Sequence, residues 1–255
     1  MKLIYVSRDE RTHKLFRTSW IMAASQCGYD VIPVFRKGKN IFKYYLHILK
    51  LKCSNSKLFV FGVSEAIVLS FFKPHVIVIT GLGRLLMPKQ KMRKFIFSIL
   101  IIFYKNKNII TLNKSDFRIF KAIGFKNSFL INGEGVDLQY IKSKESKNTY
   151  PFNTKLNFLY VGRLLKSKNV HKIISYFESI FCEDILRAKC NLILVGDNDF
   201  NNRDAVESQI IDEIKIKYPE NVFIYGYQED VISYMKSCNY YISLSCREGL
   251  PFTVV

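Results

Sequence analysis

Two segments late in the chain carry residue types able to handle a phosphorylated ligand. The first, "VGRLLKSKN", sets Arg163 directly after a strand-like run that ends at Gly162, and it puts Lys168 at the start of the next helical pattern. Two cations beside a helix N-terminus make an anion site, because free backbone N–H groups and the helix dipole add to the side-chain charge. A diphosphate suits such a site. The second, "SCREGLP", places Glu248 at another strand end, followed by Gly249, Leu250 and Pro251. There the glycine permits close backbone approach, the proline suits the first turn of a helix, and the carboxylate can hold sugar hydroxyls. An Arg, a Lys or a Glu elsewhere on a surface is usually just solvated; the position after strand-end glycines gives these their weight. In "GDND", Asp197 and Asp199 have a spacing able to grip a divalent cation. With Asn198, Asn201 and Asn202 beside them, however, the stretch reads as a turn whose side chains bond their own backbone, and no metal is expected.

The elements that must position these residues are short β-branched and aromatic runs alternating with helical patterns. "KLIYV", "DVIPVF", "KLFVFG", "HVIVIT", "NIITL" and "SFLIN" fall in the first half, and "LNFLYVG", "CNLILVG", "NVFIYG" and "YYISLS" in the second. This order predicts parallel sheets covered on both faces, an α/β architecture of two doubly wound domains. The lysine-rich stretch "KSKESKNTYPFNTK" reads as a linker over 142–155, dividing an N-terminal domain over 1–141 from a C-terminal domain over 156–255. Parallel strands end on one edge, where ligands bind, so Gly162, Gly196 and Tyr227 are expected there with Arg163 and Glu248. In the first half, "ITGLGRLL" puts Thr80, Gly81 and Gly83 after a buried strand but lacks the third glycine of a dinucleotide fingerprint.

The chain has 255 residues, 49% of them hydrophobic, enough to bury a sizeable core. Its 39 Lys+Arg against 21 Asp+Glu leave a formal charge of +18, which attracts polyanions of several kinds without choosing among them. A Lys- and Asn-rich composition throughout accounts equally well for much of that excess. The six cysteines show no metal-ligand spacing and read as reduced, mostly buried thiols of a cytoplasmic protein. The longest apolar run, "FIFSILIIFY", is far short of the ~20 residues that a spanning helix needs. In "RKGKNIFKYYLHILKLK", Lys43, His47 and Lys50 share one helical face, and Phe42, Tyr45, Leu46 and Leu49 another. Such a helix can lie on an anionic membrane surface or pack its apolar face into the core.

Four segments of the second half resemble retaining glycosyltransferases of family 4, which have the GT-B fold and include many enzymes of bacterial surface-polysaccharide assembly. "VGRLLKSKN", "LILVGDND", "VFIYGYQEDVISYM" and "SLSCREGLP" occur in the family's order and spacing. The resemblance implies a hexosyltransferase that takes a nucleotide diphosphate-sugar donor, uses no cofactor or metal, and works at the inner face of the cell membrane on a lipid-linked or glycan acceptor. It assigns Arg163 and Lys168 to the leaving diphosphate, Glu248 with Gly249 and Leu250 to the donor sugar, Gly162 and Gly196 to the donor edge, and Tyr227 to the base. "GLGRLL" is similar to the O-antigen and capsule branch and would put Thr80, Gly81 and Gly83 on the acceptor side. Asn169 stands where the family usually has glycine, and "SRDERTHK" has none of the glycines many members carry after the first strand. A second glutamate of the family's motif falls one position beyond Val255, so a truncated and weakly active chain is expected. A sugar-nucleotide epimerase of the same architecture is the rival enzyme. A basic membrane-docking protein or a nucleic-acid-binding protein are the rivals from other classes, although nucleic acid is not expected because aromatic-interleaved recognition motifs are lacking.

Overall fold

The computed structural model describes residues 1–8, 10, 17–53, 55–82, 98, 102–133, 135–147, 151–152, 154–198 and 202–245. Two compact units appear, Met1–Val136 and Asp137–Arg247. In the first, six parallel strands stand in the order β2-β1-β3-β4-β5-β6. They are β1 (Lys2–Ser7), β2 (Asp30–Phe35), β3 (Ser56–Phe61), β4 (Val76–Ile79), β5 (Asn108–Thr111) and β6 (Ser128–Leu130). Helices α1 (Thr18–Gln26), α2 (Ile41–Leu51), α3 (Val63–Val68) and α4 (Lys114–Ala122) connect them. Alternate residues serve alternate faces. Ile4, Val6, Leu58 and Val60 pack with Tyr44 and Ile48 of α2, whereas Leu3, Tyr5 and Phe61 pack on the side of Trp20 in α1. Burial on both faces is why these strands read as nearly unbroken apolar runs. Pro33 lies in β2, which pairs only with β1, and an edge strand is where a missing N–H donor is tolerated.

The second unit repeats the plan with β7 (Leu156–Val161), β8 (Cys190–Val195), β9 (Val222–Tyr225) and β10 (Tyr240–Tyr241), all parallel, in the order β10-β7-β8-β9. Its helices are α5 (Leu138–Ser143), α6 (Val170–Phe181), α7 (Asp184–Arg187), α8 (Ser208–Lys217) and α9 (Val231–Ser237). Leu192 and Leu194 face Phe177 and Phe181 of α6 and Ile214 of α8, while Ile193 and Val195 face Tyr234 of α9 and Phe152. The register of β7 on β8 sets Asn157 opposite Asn191, both fully buried. Asn191 Nδ2 donates to Asn157 Oδ1 (3.0 Å), and Asn157 Nδ2 to the Phe152 carbonyl (2.9 Å). A slip of register would strand these amides without partners, so the pair fixes the alignment as well as filling space.

Three details differ from the sequence expectations. The run "YYISLS" is a strand only over Tyr240–Tyr241, although Ile242 N still donates to Leu159 O (2.8 Å). Of the five described cysteines, Cys27, Cys53 and Cys182 are exposed and only Cys190 is buried, so the expectation of mostly buried thiols is corrected. In α2 the core face is Tyr44 and Ile48, which leaves Phe42, Leu46 and Leu49 exposed. Apolar residues occupy so much of this helix that periodicity alone could not choose the buried side. Within 142–155, Phe152 is buried in the second unit's core, and Lys236 Nζ of α9 donates to the Lys144 carbonyl (2.6 Å).

Candidate functional site

The strand order of the second sheet creates a switch point. From β7 the chain moves one way to β8 and β9, then returns to β10 on the other flank of β7, so the loops after β7 and β10 diverge at the carboxyl edge. Gly162 (φ +149°) opens the loop after β7, and Gly196 (φ +147°) opens the loop after β8. A Cβ on Gly196 would stand 1.9 Å from the Gly162 carbonyl oxygen, so the two loops run backbone against backbone. Three hydrogen bonds lock the row of strand ends: Gly162 N to Val195 O (2.9 Å), Gly196 N to Gly226 O (2.9 Å) and Leu164 N to Asp197 O (3.0 Å). Tyr160 Oη donates to the Arg163 carbonyl (2.9 Å), so the backbone that carries Arg163 is held from below while its side chain stays exposed.

Past Arg163 the chain makes a 3-10 turn over Lys166–Lys168, and α6 begins only at Val170. Lys168 therefore precedes the helix instead of opening it. Lys166 pairs with Glu207 (2.8 Å), and that ammonium holds the Glu207 carboxyl below its ordinary range. Between turn and helix, Asn169 adopts the left-handed conformation (φ 56°, ψ 29°), which glycine accepts freely and asparagine better than most other residues. Its Nδ2 donates to the Leu244 carbonyl (2.7 Å), joining the β7 loop to the β10 loop across the switch point. The asparagine in the family's glycine position thus keeps the conformation and adds a cross-link. The Asn169 side chain does not cap the first turn of α6, where Val170 N and Lys172 N donate instead to the carbonyls of Leu165 (3.5 Å) and Asn169 (3.0 Å).

Gly162, Arg163, Lys168, Gly196 and Tyr227 accordingly lie along one edge of one sheet. Tyr227 is half-exposed after β9, and Asp230 caps α9 by accepting from Ser233 N (3.2 Å) and Ser233 Oγ (2.6 Å). Those bonds, the Ser233 hydroxyl foremost, hold the Asp230 carboxyl below its ordinary range. Glu248, Gly249, Leu250, Gly83 and Asp199 lie outside the described residues. Asp197 is exposed at the end of β8. In the first unit, Thr80 and Gly81 follow β4 at the carboxyl edge of that sheet. The next residue, Leu82, donates its N–H to Asp116 Oδ2 (3.0 Å), which also accepts from Asn113 Nδ2 (2.8 Å) at the start of α4.

Sequence reasoning missed several groups. Among the described residues, His171 Nδ1 in the first turn of α6 and Asn198 Oδ1 after β8 are buried without hydrogen-bond partners, close in sequence to Lys168 and Gly196. In the first unit, fully buried Glu65 of α3 receives Arg36 through Nε (2.9 Å) and Nη2 (2.8 Å), and Tyr44 Oη lies 3.3 Å from the same carboxylate. The carboxylate raises the Arg36 pKa, and burial, ahead of Glu65, pushes the Tyr44 phenol up. No motif joins Arg36 to Glu65, because the sheet alone brings them together.

Comparison with known proteins bears on both units. Residues 142–255 match the family described as Glycosyl transferases group 1. An uncharacterized glycosyltransferase of Methanocaldococcus jannaschii is 26% identical over 181 residues, which is 66% of this chain and 43% of the relative. The chain therefore spans less than half the length of that curated relative. Among solved structures, HepE of Anabaena in complex with UDP and glucose superposes with a TM-score of 0.66 at 14% identity, covering 98% of this chain and 76% of HepE. Sucrose-phosphate synthase from Thermosynechococcus elongatus gives 0.67 at 13% identity, covering 99% of this chain and 77% of the synthase. At these identities the likeness shows the fold, two Rossmann-like domains of the GT-B kind.

Proposed function

We propose that the chain is a glycosyltransferase that binds a nucleoside diphosphate sugar on the carboxyl edge of its second sheet. The observation that carries this reading is the backbone-tight junction of Gly162 and Gly196 at the switch point, with Arg163 and Lys168 in the loop that leaves it. The family match over residues 142–255 and the structural neighbours solved with UDP point the same way. In the transfer, the bond from the anomeric carbon to the diphosphate oxygen breaks and its electron pair leaves with the diphosphate. An acceptor hydroxyl oxygen bonds that carbon and passes its proton to the departing diphosphate. Arg163 and Lys168 neutralise the charge growing on the leaving group, where preorganised cations act most strongly. Glu248, with Gly249 and Leu250, holds sugar hydroxyls, and Tyr227 flanks the base. The proposal extends to retention of configuration, to Thr80, Gly81 and Gly83 on the acceptor side, and to a glycan or lipid-linked acceptor of bacterial surface polysaccharide. No metal is required for these steps.

For work at the inner face of a cell membrane, α2 supplies an exposed stripe of Phe42, Leu46 and Leu49 beside Lys43, His47 and Lys50. No helix among the described residues is long and apolar enough to cross a membrane. The donor reading is tested by calorimetric titration of the chain with UDP-glucose and a panel of other nucleotide sugars. One donor should bind, and Arg163→Ala or Lys168→Ala should each weaken it by about tenfold, the effect of removing one charge-assisted phosphate contact. Failure of every donor to bind would overturn the assignment.

A further inference from the structure

The amino ends of the strands in the first unit, the edge opposite Thr80 and Gly81, form a cavity of 760 Å³. Lys52, Lys57, Lys73 and Lys107 line it together with His75 and Asn108, and none of its lining residues is acidic. Four ammonium groups on one concave surface repel one another and raise a strongly positive potential, an arrangement that folding alone gives no reason to build. Two further features belong to the same wall. Lys73 holds a left-handed backbone (φ 48°, ψ 65°), a conformation that a residue with a Cβ seldom adopts. His75 Nδ1 accepts from Leu58 N (3.0 Å), so the imidazole proton sits on Nε2 as a donor. Burial, and then Lys57, Lys52 and Lys107, keep this imidazole neutral by holding its pKa below 6.5.

We propose that this cavity is a second anion site, which takes a phosphate group through these lysines and the His75 Nε2–H. It occupies a different unit and the other end of the strands from Arg163 and Lys168, so it stands whether or not the donor reading holds. The phosphate belongs either to a lipid headgroup or to a soluble phosphate ester. The segment leading into Lys73 favours the lipid: Phe71, two positions before it, is 84% exposed, its ring lies 6.3 Å from that of Phe103, and Ile102 is 76% exposed. Lys52 Nζ donates to the Phe72 carbonyl (2.9 Å), fastening this segment to a lysine that lines the cavity.

Two arms test the proposal on the whole chain. In the first, the His75 imidazole is titrated by NMR with and without inorganic phosphate. A bound anion stabilises the imidazolium, so phosphate should raise the midpoint toward 6.5. Lys57→Glu with Lys107→Glu should abolish that response, and the milder Lys57→Gln with Lys107→Gln should weaken phosphate by about tenfold. In the second arm, the protein is floated with phosphatidylcholine vesicles with and without phosphatidylglycerol. Binding that needs the anionic lipid and is lost in the charge-reversed variant and in Phe71→Ser supports a lipid headgroup. A phosphate response without that lipid dependence supports a soluble ester. A His75 midpoint indifferent to phosphate, or a response that survives the charge reversal, overturns the site.

Discussion

A methyl group at Gly196 would overlap the Gly162 carbonyl, so Gly196→Ala must part the loops after β7 and β8. Added strain at φ +147° compounds the overlap, and the substitution is expected to cost about 3 kcal/mol or more in urea unfolding. At Gly162 a Cβ would meet the buried Tyr160 hydroxyl at 2.9 Å, a side-chain contact in place of the backbone overlap at Gly196, so Gly162→Ala should cost less, although it presses on the bond from Tyr160 to the Arg163 carbonyl. Asn169 separates two effects. Asn169→Gly keeps the left-handed backbone and loses the bond to Leu244 O, whereas Asn169→Ala loses that bond and also strains the backbone. The first should cost about 1 kcal/mol and the second roughly twice that, read from denaturant midpoints. His75 adds a pH dependence. Its folded pKa is depressed, so the unfolded chain takes up a proton first as pH falls, and His75's contribution to stability is full above 6.5 and declines as pH drops below it. Thermal melts between neutral and mildly acidic pH should show that decline, and His75→Asn should flatten it. The positions of Arg163 and the strand-end glycines were legible because each follows its strand directly, and that of Lys168 because it lies in the same connection before the next helix. The lysines around His75 were not, since they come from separate connections that only the sheet assembles.

At the scale of elements, α3 shows how a six-residue helix too short to hold itself is anchored. Its Glu65 is fully buried and grips Arg36 just beyond β2, with Tyr44 of α2 beside them, so one carboxylate ties together three elements. Glu65→Ala leaves the buried Tyr44 hydroxyl without its partner, whereas Arg36, at 29% exposure, can still turn to water; the substitution is therefore expected to lower stability by about 2 kcal/mol, with Glu65→Gln less severe, as measured by chemical denaturation. The alternation of strands and helices was plain in the sequence because runs such as "CNLILV" are buried on both faces and tolerate no polar interruption beyond the paired asparagine. Boundaries were less plain. β10 is confined to Tyr240–Tyr241, which pairs with β7 among the described residues, and Phe158 stacks on Tyr240 at 4.8 Å where the pairing persists. The orientation of α2 escaped because its apolar residues exceed what one core face can bury.

For the molecule as a whole, the sequence's charge of +18 speaks of anionic partners without locating them. The structure resolves part of it into two places, the loop after β7 that carries Arg163 and Lys168 and a lysine-lined cavity at the amino ends of the first unit's strands. Both are surface electrostatic sites, so added salt should weaken vesicle binding and phosphate binding alike, measurable in the same flotation and NMR experiments. The order β10-β7-β8-β9 also governs the sequence of events as the chain leaves the ribosome. Strands β7, β8 and β9 can pair as soon as they emerge, but β10, the far wall of the switch point, is synthesised after all three. The bond from Asn169 to Leu244 spans 75 positions, so the β7 loop must wait with one side open until that late segment arrives. In pulse-labelled hydrogen exchange, the amides of Tyr241 and Ile242 should gain protection after those of β8. The switch point would then mature later than the β7–β9 part of its unit, and a nascent chain would expose it longer to chaperones.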